Sequence, residues 1–425
     1  MIKKIDRQIS YSLATIEVDQ SDTATVLITA DLQQKRTLQT QATEEIYADM
    51  LMSGCGNYTR DEFLDAVNKL GATLSVSINN CLLSITLKSS SQNFKKLLKL
   101  TELMLNQPTF SQSELKRAVK TTSNELKHAK EDSKTIALIG LQNTIYSPGD
   151  RHHTFSIDST LAALTKVSKS DLQQFHNDVM ASFLIVSVAG DKNICKETTG
   201  TLKKLKKVSK VKKKKQYQSQ KSVKSSVKLT NIPSRTNIDF SLGLPIPINL
   251  HHPDYIPLSF GIAVLGKWGG FAGRLMSTVR ELEGLTYNIY AQTEGFINDE
   301  SGYLHITTFF APDKAVEGLS STHRELKKLY NKGISTAELK KFKTIINTSQ
   351  TLLNDSTSSQ LRDLHSYHQF GFSLEEIAEH KRKVEKLTVS EVNQAIKKYL
   401  NPKHLIISGA GPTKAVEQQI NKVCP

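Results

Sequence analysis

The chain has 425 residues, too many for one ordinary hydrophobic core, so two or more domains are expected. Hydrophobic residues make up 38% and aromatics 7%, enough for packed globular domains. The formal charge of +15 (56 − 41) would suggest nucleic acid or membrane, but it is concentrated. Lys203 to Lys228 holds twelve lysines and neither arginines nor acids, leaving 15 − 12 = +3 for the remainder. Tyr217 is the only aromatic in that strap, which gives base stacking no support, and no nucleic-acid partner is expected. No stretch approaches the roughly 18 apolar residues of a membrane span. Met1-Ile2-Lys3-Lys4 is not followed by a signal-length apolar run, so a cytoplasmic protein is expected. Cys55, Cys81, Cys195 and Cys424 lie far apart, in keeping with reduced thiols and with no metal cluster.

In chain order, Thr59-Arg60-Asp61-Glu62 reads as a capping box. Phe63, Leu64, Val67 and Leu70 then form an apolar helix face that Gly71 ends. Leu74, Val76 and Ile78 alternate on one strand, Asn79-Asn80 turns, and Leu83, Ile85 and Leu87 return. The lysine-rich segment has no hydrophobic period and reads as a flexible linker. It divides the chain into an N-terminal domain (1–205), a linker (206–228) and a C-terminal domain (229–425). Beyond it Ile238, Phe240, Leu242, Leu244 and Ile246 alternate, followed by a helix and another hairpin.

The halves repeat one another. Phe110–Arg117 matches Ile334–Lys341, Val167–Leu172 matches Leu387–Val392, and Leu184–Gly190 matches Leu405–Gly411, at offsets of 224, 220 and 221. Each of the first two matches is a helix start, Ser or Thr followed three residues later by an acid. Three matches in order at nearly one spacing argue for duplication. The fold class expected is α+β: two homologous α/β-sandwich halves, each a mostly antiparallel sheet covered by helices, forming a clamshell.

The strongest chemical signal is Gly269–Tyr287. Leu275, Val279 and Leu282 form a stripe expected to be buried, Gly284 ends the helix, and a strand runs on from Leu285 through Ile289 and Ala291. Arg280 falls in the last helical turn and Tyr287 early in that strand, so the turn can bring guanidinium and phenol together as donors to peptide carbonyls. Gly269, Gly270 and Gly273 suit a loop through which backbone approaches a ligand.

With these residues the chain resembles the pitrilysin/insulinase family of zinc peptidases, especially two-domain members akin to mitochondrial processing peptidase and bacterial heterodimeric peptidases. Gly-rich, Arg-Leu…Arg-Glu…Gly-Leu-x-Tyr over residues 255–310 is similar to the family's C-terminal signature. Met50–Gly54, Lys69–Ala72, Pro108–Phe110 and Glu131–Ser133 are similar to its N-terminal half. The resemblance implies that Arg280 and Tyr287 contact substrate backbone while zinc comes from elsewhere. It also exposes a departure. Where the family carries His-x-x-Glu-His, this chain has Glu45, Ala48 and Asp49, so both imidazole ligands and the general base are missing. Glu125 falls at the distal ligand, 76 residues after Asp49.

The expectation is a non-catalytic, substrate-binding subunit that acts on extended peptides with a zinc-bearing partner of the same family, and that itself binds neither zinc nor any other cofactor. Two alternatives remain. One is a non-enzymatic scaffold or peptide-binding protein of the same fold. The other is an autonomous hydrolase whose carboxylates Glu45, Asp49 and Glu125 hold a hard cation. The pairs His152-His153, His251-His252 and His365-x-x-His368 have no third partner at metal-ligand spacing, and Glu376–His380 ends like the zinc motif but has Glu where the first His would stand.

Overall fold

The computed structural model describes residues 2–32, 34–205, 220, 224–267, 273–297, 299–353 and 355–423. They form two compact units. Unit 1 comprises residues 1–126, 155–217 and 351–374, and unit 2 comprises 127–154, 218–350 and 375–425.

Unit 1 is built on a sheet of strands β1 (Ile2–Arg7), β2 (Tyr11–Glu17), β3 (Thr23–Asp31), β6 (Thr73–Asn79), β7 (Leu82–Ser90) and β8 (Leu184–Gly190), with a small ribbon, β4 (Gly54–Cys55) and β5 (Tyr58–Thr59), beside it. The order is β1-β2-β8-β3-β7-β6, antiparallel except where β2 runs parallel to β8. Unit 2 carries β9 (Ser226–Asn231), β10 (Ile238–Ile246), β11 (Ile289–Glu294), β12 (Gly302–Phe310) and β13 (Ile406–Gly411), ordered β11-β12-β10-β13-β9. With β1 set aside, this is the order of unit 1, and its one parallel contact, β13 with β9, falls at the equivalent place. Both sheets are mostly antiparallel and helix-covered, as the alternation indicated.

On one face of the unit 1 sheet, Val26, Ile28, Ile85 and Val186 pack against helices α1 (Leu38–Leu51), α2 (Arg60–Asn68) and α3 (Ser91–Asn106). Thr37 and Thr40 cap α1 reciprocally, and Thr59 and Glu62 do the same for α2. Tyr47 fixes the roll of α1: its ring is fully buried and its hydroxyl lies 2.8 Å from His176 Nδ1. His176 Nε2 donates to the Leu105 carbonyl at 2.9 Å, so Nδ1 is the acceptor. In unit 2, Phe240, Leu242 and Leu244 supply the equivalent core face.

The second face of each sheet is covered by an exchanged helix. After α4 (Gln112–Ala129), helix α5 (Ser133–Ile145) lies over β10 and β13 of unit 2. Helix Thr357–His368, 224 residues later, lies over β2, β3 and β8 of unit 1. The units are therefore interleaved along the sequence, unlike the contiguous division at 205 and 229. Gly140 of α5 sits so close that a Cβ there would stand 2.2 Å from Ser408 Oγ. A polar network completes the seat of α5. Gln142 donates to Tyr303 Oη at 3.1 Å, Tyr303 donates to Glu294 at 2.9 Å, and His305 bridges Glu294 (3.0 Å) and Ser241 (3.1 Å). Burial alone would raise the pKa of Glu294, but His305, Gln292 and Tyr303 reverse that and bring it to about 2.

The linker is shorter than the lysine content suggests. Most of 206–228 lies outside the described residues, but Ser226–Lys228 already pair with β13 as the start of β9. Val227 and Leu229 alternate onto the unit 2 core, a two-residue period hidden beneath the lysines.

Gly140→Val is expected to cost about 1–3 kcal/mol by overpacking α5 on β13. Gly200→Ala, where a Cβ meets nothing within 4 Å, should stabilise by about 0.5–1 kcal/mol. Urea denaturation of both variants checks this; equal shifts would mean that α5 is not seated in this way.

Candidate functional site

Residues 45, 48 and 49 lie on α1, beneath which Ile46, Tyr47 and Met50 anchor the helix in the core. Glu45 reaches solvent, yet partial burial of its carboxyl and then the charge of Glu44 raise its pKa, against the pull of Arg36. Glu44 itself is buried in an ion pair with Arg36 at 3.2 Å. Asp49 points elsewhere. One of its oxygens takes Arg60 Nη1 at 2.9 Å and the other takes Arg117 Nη2 at 2.5 Å. Arg117 Nε in turn donates to Glu114 at 2.7 Å, and Arg60 lies 3.6 Å from the same carboxylate. Two arginines and two carboxylates thus close a neutral network across α1, α2 and α4.

The carboxylate trio of Glu45, Asp49 and Glu125 is consequently not assembled as a cation site. Both oxygens of Asp49 are engaged by guanidinium groups, and Glu125 is exposed on α4, near enough to Glu45 only to raise its pKa. No group of three or more His, Cys, Asp or Glu able to hold a metal occurs among the described residues. The donors here do not fit zinc: a methyl group stands at the base position and two fixed cations border the ligand position. Sequence reasoning missed Arg60 and Arg117. Their signal was present, since Arg60 follows the Thr59 cap and Arg117 ends the repeated Phe110–Arg117 block, but no local pattern showed that both converge on residue 49.

In unit 2, helix Tyr255–Ile262 runs into a π-helical turn, Ala263–Lys267, and a second one spans Met276–Leu282. Gly269 and Gly270 lie outside the described residues. Gly273 is buried against the first π-turn, where a Cβ would stand 2.7 Å from Gly266 Cα, so the close approach requires glycine. The wide turn corrects the expected stripe. Leu275 and Val279 are fully buried, but Leu282 is 80% exposed. Glu283 N–H bonds back to Thr278 and Leu285 N–H to Val279, both at 3.0 Å; this wider winding carries residue 282 off the α-helical face.

Arg280 and Tyr287 are brought together. Gly284, at φ 63°, reverses the chain, and the Arg280 guanidinium carbon lies 4.5 Å from the Tyr287 ring centroid. Tyr287 precedes the strand rather than opening it, since β11 starts at Ile289, and its side chain is 74% exposed. Arg280 Nε is 3.3 Å from Glu281. The other arginine of the segment is structural. Arg274 grips Glu338 at 2.7 Å and the Gly333 carbonyl at 2.8 Å, tying the helix to the start of helix Thr336–Leu353.

Comparison with known proteins gives two adjoining family matches. The insulinase (peptidase family M16) model matches residues 45–154, and the peptidase M16 inactive domain matches residues 166–346. The chain belongs to the insulinase, or M16, family. At the positions of the family's zinc motif this member carries Glu45, Ala48 and Asp49. A non-peptidase homologue from Helicobacter pylori, YmxG, is 24% identical over 359 residues, covering 83% of this M16 chain and 80% of that one. An uncharacterized zinc protease of Mycobacterium tuberculosis is 26% identical over 155 residues, 36% of this chain and 35% of the other. Among solved structures, a peptidase M16 inactive domain from Pseudomonas fluorescens superposes with a TM-score of 0.84 at 20% identity, covering 97% and 98% of the two chains. A protease from Helicobacter pylori gives 0.83 at 15%, covering 96% and 99%. At these identities the structures establish the fold alone.

The arginine network generates a metal prediction. Rebuilding the motif with Glu45→His, Ala48→Glu and Asp49→His should leave zinc affinity at least about tenfold below that of the same variant carrying Arg117→Ala as well, because the guanidinium repels the dication. Competition with a chelating dye measures both; equal affinities would remove Arg117 from the argument.

Proposed function

We propose that this chain is the substrate-binding, non-catalytic subunit of a two-chain M16 peptidase whose zinc is carried by a separate His-x-x-Glu-His subunit of the same family. The observation that carries the reading is the Arg280–Tyr287 contact, a cation over an exposed aromatic face at 4.5 Å. Stacking of this kind is worth about 0.5–1 kcal/mol at an exposed site and holds the guanidinium in one orientation. A stacked guanidinium donates in its own plane, past the ring edge, where a peptide carbonyl can meet both it and the phenol.

The contrast between the halves supports the same view. The position that would activate water has become Ala48, and its neighbour Asp49 is absorbed into ion pairs, whereas the donor pair that would grip a peptide is kept. The substrate would be an extended peptide, and the chain alone would not cleave it. Cys55 and Cys195 are buried thiols that burial pushes up to about 11, which makes them poor nucleophiles and gives the chain no thiol chemistry at these two positions. No described helix is long and apolar enough to cross a membrane.

Affinity purification of the tagged chain from its native cells at low salt, with mass spectrometry, should recover a His-x-x-Glu-His subunit at one to one. Recovery of the chain alone or as a homodimer would sink the paired reading and leave the scaffold. In the assembled pair Tyr287→Phe keeps the ring beneath Arg280 but removes the hydroxyl. Its kcat should fall roughly tenfold to hundredfold, and unchanged turnover would refute the tyrosine's role.

A further inference from the structure

In unit 1 the exchanged helix Thr357–His368 is seated on β2, β3 and β8 by two histidines one turn apart. His365 Nε2 lies 2.8 Å from Thr29 Oγ1, and its Nδ1 lies 2.8 Å from Ser187 Oγ. His368 Nε2 lies 2.7 Å from Ser12 Oγ, and its Nδ1 shares the same Ser187 Oγ at 3.3 Å. The five side chains make one chain of hydrogen bonds, Ser12–His368–Ser187–His365–Thr29, and all five are buried.

The protons in that chain can be counted. It has four contacts, and each needs one hydrogen. A neutral imidazole has one N–H and one bare nitrogen, and the head-to-tail order, in which Ser187 accepts from one Nδ1 and donates to the other, serves every contact and also gives the Ser187 hydrogen an acceptor. One added proton can be absorbed, because Ser187 still donates to the remaining neutral ring. A second cannot. The Ser187 oxygen can accept both Nδ1–H groups, but its own hydrogen would lose its acceptor within the chain, and two cations would share a dry site.

Among the described residues no carboxylate pairs with that charge. β8 has no ionisable side chain; on β2, Tyr11 and Glu17 alternate to the face opposite Ser12. On β3, Asp31 shares the face of Thr29 at the end of the strand. Across the sheet, Arg7 pairs with Ser12 and Lys88 with Thr25, adding cations, and the helix itself carries Arg362, Asp363 and Tyr367. No carboxylate makes an ion pair with either ring among the described residues, whereas His305 beneath α5 has Glu294 at 3.0 Å. Burial depresses both pKa values to about 4, with the charge of His368 adding to the effect on His365.

We propose that His365 and His368 are an acid-labile latch, which holds helix Thr357–His368 on the unit 1 sheet while both rings are neutral and releases it when both are protonated. Because the folded pKa values lie below the usual imidazole value near 6.5, the stabilisation is complete above about pH 6.5 and is lost as pH falls towards 4. Two protons taken up on release make the opening equilibrium rise by up to about a hundredfold per pH unit across that window.

Hydrogen–deuterium exchange of the full chain between pH 7 and 4.5, corrected for intrinsic rates, reads the opening of residues 357–368. The wild type should open more than about tenfold per pH unit below pH 6, and His365→Gln/His368→Gln should show no such slope. Equal slopes in the two proteins, or protection in the wild type that holds down to pH 4.5, would overturn the latch. If the double variant does not fold, NMR titration of carbon-13-labelled histidine in the wild type decides: two rings must stay neutral to about pH 5 while the helix is bound, and ordinary titration of every ring would overturn the latch.

Discussion

Everything else in the molecule depends on how the second face of each sheet is kept dry. An antiparallel sheet can leave one face to water, yet both sheets here carry buried side chains on both faces, Ser187 and Ser241 as well as Val186 and Leu242. Each therefore needs a cover. The cover is a helix, α5 on one sheet and Thr357–His368 on the other, and both helices occupy the same place in the duplicated sequence. Hydroxyls on the sheet faces meet polar groups on the helices, and beside them Leu141 and Ile145 of α5 pack on Ile406 while Leu361 and Leu364 are buried on the other helix, so each seam joins hydrogen bonds to apolar packing.

The two candidate sites are shaped by separate physical constraints. At the N-terminal site Asp49 carries a charge that Arg60 and Arg117 neutralise without metal. A network of that kind, partly exposed, contributes modest stability, but it fills the coordinates a dication would need. At the C-terminal site the π-helical turns and Gly284 hold Arg280 against Tyr287, at the cost of turning Leu282 to solvent. Wide turns of this sort persist mainly where function requires the displacement.

Much of this was legible in the residues. Alternation at 238–246 gave β10, the boxes at Thr59, Ser168 and Thr388 are all formed, and the repeats at 111, 168 and 184 fall on equivalent elements. The Arg280–Tyr287 contact followed from seven residues and a glycine turn. What could not be read was long-range: that α5 crosses to the other unit, that Arg60 and Arg117 meet at Asp49, and that Leu282 leaves its stripe. Periodicity reports only local winding and assumes the α-helical one, while contacts such as Ser187 with His365, 178 residues apart, leave no spacing to detect. Beneath the lysines, β9 was hidden because charge dominated the composition of a segment whose apolar residues alternate.

The interleaving of the two units has a consequence for ancestry and for dissection. Two identical half-chains that each lend one helix to the other describe a domain-swapped homodimer, and joining them end to end would make the swap permanent. A gene cut at the lysine-rich segment would then yield two fragments, each with an uncovered sheet face, that recover only in each other's presence. The basic strap need carry no information of its own in such a history: it keeps at high local concentration two partners that were already obliged to complete one another.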